Sequence, residues 1–234
     1  MTRTPELTEK QLATFQREVA QLVSKLFDQK KKTLKKDYGW TVPCYDKLPP
    51  GVVVNRNRSL YEQNIELKSC LHKVWIGAGP KEREKLASFC VKTWGNINGN
   101  APKTLRTYAK TSPSCLIALG VKGIASWSKV LSMHDPARYA IYDSRVSISL
   151  NNLIAAAGSN KNLFFPMPPR RGFTTRECLY KLINNRRGLI INIIPKEMFY
   201  EIYLKVLSDV AKRHRSNILE VEMTLFAYAT KFVR

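Results

Sequence analysis

No stretch of the chain approaches the roughly 20 consecutive apolar residues that a spanning helix needs, which excludes a helical membrane protein. The first ten residues, Met1 to Lys10, are polar and mixed in charge and lack the apolar core of a secretory signal, so a cytoplasmic protein is expected. Cysteine is sparse: Cys44, Cys70, Cys90, Cys115 and Cys178 form no CxxC pair and have no histidine at ligand spacing. That pattern argues against a disulfide framework, zinc or an iron–sulfur cluster, and leaves reduced core thiols. His72 and His134 have no obvious carboxylate or nucleophile partner in sequence, so neither a triad nor a metal role is expected for them. Acidic residues are scarce as well, and the chain offers no clustered carboxylates to hold Mg²⁺.

What the chain does have is positive charge: 39 Lys and Arg against 18 Asp and Glu, a formal net charge of +21 over 234 residues. A field of that sign attracts polyanions, and nucleic acid is the first partner to consider. The run Lys30, Lys31, Lys32, Lys35 and Lys36 could grip phosphates, but a lysine run is more often a solvated face. With 44% hydrophobic residues, the chain can bury one substantial core or two small ones packed together.

Apolar residues recur at helical spacing from Glu6 to Phe27, Ser59 to Trp75, Pro80 to Trp94, Asp143 to Ala157, Lys196 to His214 and Ile218 to Val233. Shorter helices are predicted over 104–110, from Pro113 through Leu119, over 124–133 and over 175–185, and a loop or small hairpin between Tyr38 and Asn57. The fold class expected is all-α. Three parts are expected: residues 1–58 as a first helix and basic Pro/Gly loop, 59–157 as a helical lobe, and 158–234 as a C-terminal helical lobe.

The segment from Leu116 to Leu150, LIALGVKGIASWSKVLSMHDPARYAIYDSRVSISL, carries the chemistry. It reads as an apolar helix end, a glycine-bounded turn at Gly120 to Gly123, a second helix, and a loop leading to Tyr142 and Asp143. A glycine-closed hairpin points backbone N–H groups outward, and with the following helix N-terminus these form an anion site suited to a phosphate. Gly120, Val121, Lys122, Gly123, Ser126 and Lys129 are the residues placed there. Such contacts fix a DNA strand without reading its sequence. Asp143 opens a helix, where the dipole favours an ionised carboxylate; an Asp in that place is also a common N-cap.

This segment resembles the helix-hairpin-helix DNA glycosylase superfamily, whose members carry a pattern like LPGVGxKTA before a loop and an Asp of the form VDTHV. Laid without gaps from Leu119, the resemblance puts Gly123 on the second hairpin glycine and Asp143 on the catalytic Asp. It covers about 35 residues. It implies a two-lobed all-α body with a cleft between the lobes and hydrolysis of an N-glycosidic bond in double-stranded DNA. A carboxylate beside the sugar would stabilise the oxocarbenium-like transition state, with no metal or organic cofactor.

The chain departs from the family pattern at three places. Val121 stands at the first hairpin glycine, with Gly120 beside it. Arg145 replaces the His or Asn two residues after the Asp, as a phosphate ligand or a surface ion-pair partner. The Schiff-base lysine slot of bifunctional members falls on Ala125 or Ile124, which implies a monofunctional enzyme, with Lys122 as the reservation.

A base-excising enzyme extrudes its target nucleotide and braces the gap. Tyr142, Trp127 and Phe165 are the wedge or pocket candidates, with Trp75 and Trp94 behind them; aromatic residues in helical patterns also simply pack. The loop LFFPMPPRRG adds Arg170 and Arg171 as DNA contacts, or forms a proline-braced surface turn. The expectation is therefore a monomeric DNA glycosylase, nucleoid-associated if bacterial, serving base-excision repair or defence against modified phage DNA. A non-enzymatic helix-hairpin-helix DNA-binding protein, or an RNA-binding protein or nuclease, is the alternative.

Overall fold

The computed structural model describes residues 8–158, 162–168 and 191–231. These are mostly helical, and the only regular strands among them are β1 (Leu163–Phe164) and β2 (Asn192–Ile193), paired in parallel. The helix expected over 175–185 lies outside the described residues, as do Cys178, Arg170 and Arg171. Within the described residues, no helix is long and apolar enough to cross a membrane.

Helix α1 (Glu9–Lys30) starts at a capping box in which Thr8 and Gln11 satisfy each other's backbone N–H groups. It turns Leu12, Phe15, Val19, Val23 and Phe27 inward, against α8 (Ser144–Ala157) and α9 (Phe199–Arg213). A short α2 (Leu34–Asp37) follows, with Lys35 and Lys36 in solvent and only Leu34 buried. Residues 38–58 are irregular apart from one 3-10 turn, Tyr45–Lys47, and form no hairpin.

Helix α3 (Leu60–Gly77) is started by a second capping box, Ser59 with Glu62. Pro80 opens α4 (Pro80–Ser88) and Pro102 opens α5 (Pro102–Lys110), where a missing N–H costs nothing. The helix expected to run unbroken from Pro80 to Trp94 changes type at Phe89: residues Phe89–Trp94 are a π-helical turn. That turn re-aims the side chains after it.

The short α6 (Pro113–Ile117), the glycine turn and α7 (Ile124–His134) form the expected hairpin. Helix α7 is central: from Ser126 to Met133 every residue is buried, and it packs on α3, α5 and the π turn. The last long helix, α10 (Ile218–Tyr228), packs on α8 and α9. Buried residues of all three expected parts join one hydrophobic cluster. The cysteine expectation needs correction, because Cys90 is buried whereas Cys44 and Cys115 are exposed.

Candidate functional site

Two glycines shape the hairpin. Gly120 (φ +59°) and Gly123 (φ +70°) take the left-handed conformation that other residues avoid. Gly120, rather than Val121, therefore fills the role of the first hairpin glycine. A Cβ on Gly123 would collide with Tyr108 Oη. The backbone N–H groups of Val121 and Gly123 take no acceptor among the described residues, and the Lys122 side chain is exposed beside them. Gly123→Ala is therefore expected to lower stability by about 1–3 kcal/mol through φ strain and the clash, read by urea denaturation. Unchanged stability would mean that the turn accommodates a side chain at this position.

Other residues placed at the hairpin turn elsewhere. Ser126 is buried and its Oγ accepts from Asn100 Nδ2 at 2.8 Å. Lys129 is only 6% exposed, and its Nζ donates to Ala125 O, one turn back on its own helix, at 2.9 Å. Neither side chain reaches a phosphate outside the protein, so the phosphate-anchor expectation fails for both. Lys129 instead lines an internal pocket.

That pocket is walled by Tyr38, Trp40, Trp94, Ile141 and Phe226, with Lys129, Asp143 and Glu222 as its charged groups. It holds about 30 Å³ of free volume, on the order of one water molecule. Gly95 also lines it, because a Cβ there would meet Lys129 Cδ and the carbonyls of Cys90 and Val91 at 2.7–2.8 Å. The bare glycine after the π turn thus leaves the channel through which the Lys129 stem passes.

Asp143 is held in place from both sides. The extended segment before it is clamped by hydroxyls: Tyr200 Oη donates to Ala140 O, Tyr203 Oη to Ile141 O and Tyr142 Oη to Pro166 O, at 2.6–2.7 Å. Ser128 Oγ accepts from Tyr142 N at 3.0 Å, which ties the segment to α7 next to Lys129. On the far side, Asp143 Oδ1 caps α8 by accepting from Arg145 N and Val146 N at 2.9 and 3.0 Å. Oδ2 takes no hydrogen bond among the described residues and is not sealed from solvent. The N-cap and site readings of this residue are therefore compatible, since one oxygen caps and the other is free.

Burial lowers the Lys129 pKa below the ordinary lysine value, and the nearby Asp143 and Glu222 charges oppose that shift. Glu222, 2% exposed on α10, pairs with the equally buried Lys68 of α3 at 2.6 Å. Burial raises the Glu222 pKa while Lys68 counteracts. Asn64 orients the aromatic wall: its Oδ1 accepts from Trp94 Nε1 at 2.9 Å and its Nδ2 donates to Trp40 O at 2.7 Å. Trp40 Nε1 in turn donates to Trp94 O at 3.0 Å. The Arg145 guanidinium lies over the Phe226 ring at 4.6 Å and the Trp40 ring at 5.4 Å. It has no carboxylate partner among the described residues.

The wedge candidates are corrected by their burial. Trp127, Tyr142 and Phe165 are each fully buried. Trp127 packs edge-on to Tyr200 and donates to Lys122 O; Tyr142 packs edge-on to Phe199 and Tyr203. Phe165 lies against Phe15, with its backbone gripped by Asn151. All three serve packing, as large aromatic side chains commonly do. Trp94 does line the pocket, and Trp75 is core.

Sequence reasoning passed over Tyr38, Trp40, Lys68, Glu222 and Phe226. One signal was available: Glu222 is a lone charge inside the apolar stretch Val221 to Tyr228, where burial demands a partner. No family model, curated protein or solved structure matches the chain in comparisons with known proteins.

Proposed function

We propose that the protein is a DNA glycosylase that hydrolyses the N-glycosidic bond of a damaged or modified base in double-stranded DNA. The observation that carries this reading is Asp143: a carboxylate with one oxygen fixed as a helix cap and the other free at the rim of an aromatic-walled pocket. A free carboxylate oxygen stabilises positive charge developing at C1′ and assists attack by water. Aromatic walls suit the π faces of an extruded base. The glycine hairpin with its outward N–H groups and exposed Lys122 supplies a phosphate contact, and the +21 charge supplies non-specific affinity.

In this reading the pocket sits in the cleft of a two-lobed body and draws residues from all three parts of the chain. Entry of a base requires Trp40 and the Arg145 guanidinium above it to move aside, since the resting pocket fits little more than water. The test is incubation with genomic DNAs carrying diverse modified bases, with released bases identified by mass spectrometry. Release of at least one base supports the reading. DNA binding without release from any substrate leaves a non-enzymatic DNA-binding protein.

Lys129 favours a second reading, of a glycosylase that is also a lyase. Its amine, not that of Lys122, shares the pocket with Asp143, and burial favours its neutral, nucleophilic form. The amine would attack C1′ as the base leaves with the bonding pair and takes up a proton. Ring opening at O4′ would then give a protonated imine, and loss of a C2′ proton would expel the 3′ phosphate. Borohydride should trap a protein–DNA adduct in the parent and none in Lys129→Gln. Base release without any trapped adduct would make the enzyme monofunctional.

A further inference from the structure

Glu222 has a feature that hydrolysis at C1′ does not use. The carboxylate is almost wholly buried, and its Oε2 is committed to Lys68 Nζ at 2.6 Å. Its Oε1 accepts no hydrogen bond among the described residues. Nor is Oε1 sealed in the core, since among those residues the only fully sealed side-chain N or O without a partner is Trp75 Nε1. Glu222 lines the pocket between the aromatic walls, and Oε1 is the carboxylate oxygen left uncommitted for a donor that enters it. A buried acceptor is unfavourable unless a donor reaches it. Lys68 balances its charge from behind, so the pair presents an acceptor that needs an N–H and tolerates a neutral ligand.

We propose that Glu222 is a specificity-determining residue that selects bases carrying an exocyclic amino group, those derived from cytosine, adenine or guanine, over their oxo counterparts, those derived from uracil, thymine, hypoxanthine or xanthine. An exocyclic amine offers N–H donors at the edge of the ring, and carboxylates read such groups in nucleic acids. The corresponding oxo bases present a carbonyl at that place, and two acceptors would then face each other in a pocket without room for water between them. The inference rests on the pocket being the base site and adds which chemical class of base it takes.

The test uses binding, so that it stands apart from catalysis. Duplexes are built with one 2′-fluoro nucleotide, which resists glycosidic cleavage, in matched pairs: 5-hydroxymethylcytosine against 5-hydroxymethyluracil, adenine against hypoxanthine, and guanine against xanthine. The amino-bearing member of at least one pair should bind roughly ten-fold or more tightly, and no oxo member should be preferred. The double variant Lys68→Met/Glu222→Leu, which leaves no lone buried charge, should lose that preference while keeping the common affinity for the duplex backbone. Equal binding within every pair, preference for an oxo member, or a preference that survives in the double variant overturns the inference. Base release from the same strands without fluorine tests the glycosylase reading separately: a preference without release removes the enzyme and leaves the selectivity.

Discussion

Asp143→Asn should fold and bind duplex DNA like the parent protein, yet release base roughly 10²–10³-fold more slowly or not at all, on the scale of losing one electrostatic group that stabilises a transition state. The substitution separates the two uses of this side chain. Asparagine caps helices as well as aspartate does, and its Oδ1 can keep the bonds now made by Arg145 N and Val146 N. What disappears is the negative charge on the free oxygen. Asp143→Ala would remove both, and should add a loss of about 1 kcal/mol in stability from the missing cap. Single-turnover base release and a thermal melt read the two effects independently. If Asp143→Asn released base at the parental rate, capping would be the whole role of the residue.

Lys68→Met should destabilise the fold by about 3–5 kcal/mol, because it strands the Glu222 carboxylate in the core without its cation. The cost should depend on pH. Burial already raises the Glu222 pKa against the pull of Lys68, and without Lys68 the rise is unopposed by that ammonium. A carboxyl whose folded pKa lies above its unfolded value binds more protons when folded, so stability falls as pH climbs through the interval between them. The deficit of the variant should therefore be smallest below the ordinary carboxylate range and grow toward neutral pH. Removing both charges in Lys68→Met/Glu222→Leu should recover most of the loss, since a well-packed apolar pair often replaces a buried ion pair at little cost. Urea denaturation across pH measures both; a single variant as stable as the parent at neutral pH would mean that water reaches the pair.

The long helices were legible because their signals are local. Apolar spacing, Pro80 at a first turn and Asp143 ahead of α8 each act within a few residues, whereas the Ser59–Glu62 capping box and Pro102, which opens α5 two residues before the expected start, went unread. The hairpin was legible for the same reason, since only glycine takes the positive φ found at residues 120 and 123 without strain. Of the pocket lining, Asp143, Trp94 and Lys129 were legible in the sequence, the last with a phosphate in view and not an internal pocket.

Its other walls come from distant parts of the chain. Trp40 sits in an irregular segment whose path depends on Asn64 and Arg56 reaching across to its backbone carbonyls. Trp94 is aimed by a π turn that has no period of its own. The polar residues of α7 misled in the opposite direction. Ser126 and Lys129 read as phosphate contacts, yet this helix is enclosed, and these two, like Ser128 and Ser132, bond inside the protein. The aromatic wedge candidates failed because neither the helical position of Trp127 nor the extended ones of Tyr142 and Phe165 distinguish a ring in the core from one at a cleft.

The central claim is that an extruded nucleotide places its base in the Trp40, Trp94 and Phe226 pocket with its sugar against the free oxygen of Asp143. A crystal structure of the protein with a duplex carrying one 2′-fluoro modified nucleotide measures this directly. The expected result is a base lodged between these aromatic walls, Trp40 displaced, C1′ at contact distance from Asp143 Oδ2, and a strand phosphate on the N–H groups of Val121 and Gly123. A duplex lying across another face, with every base still stacked and the pocket closed, would contradict it.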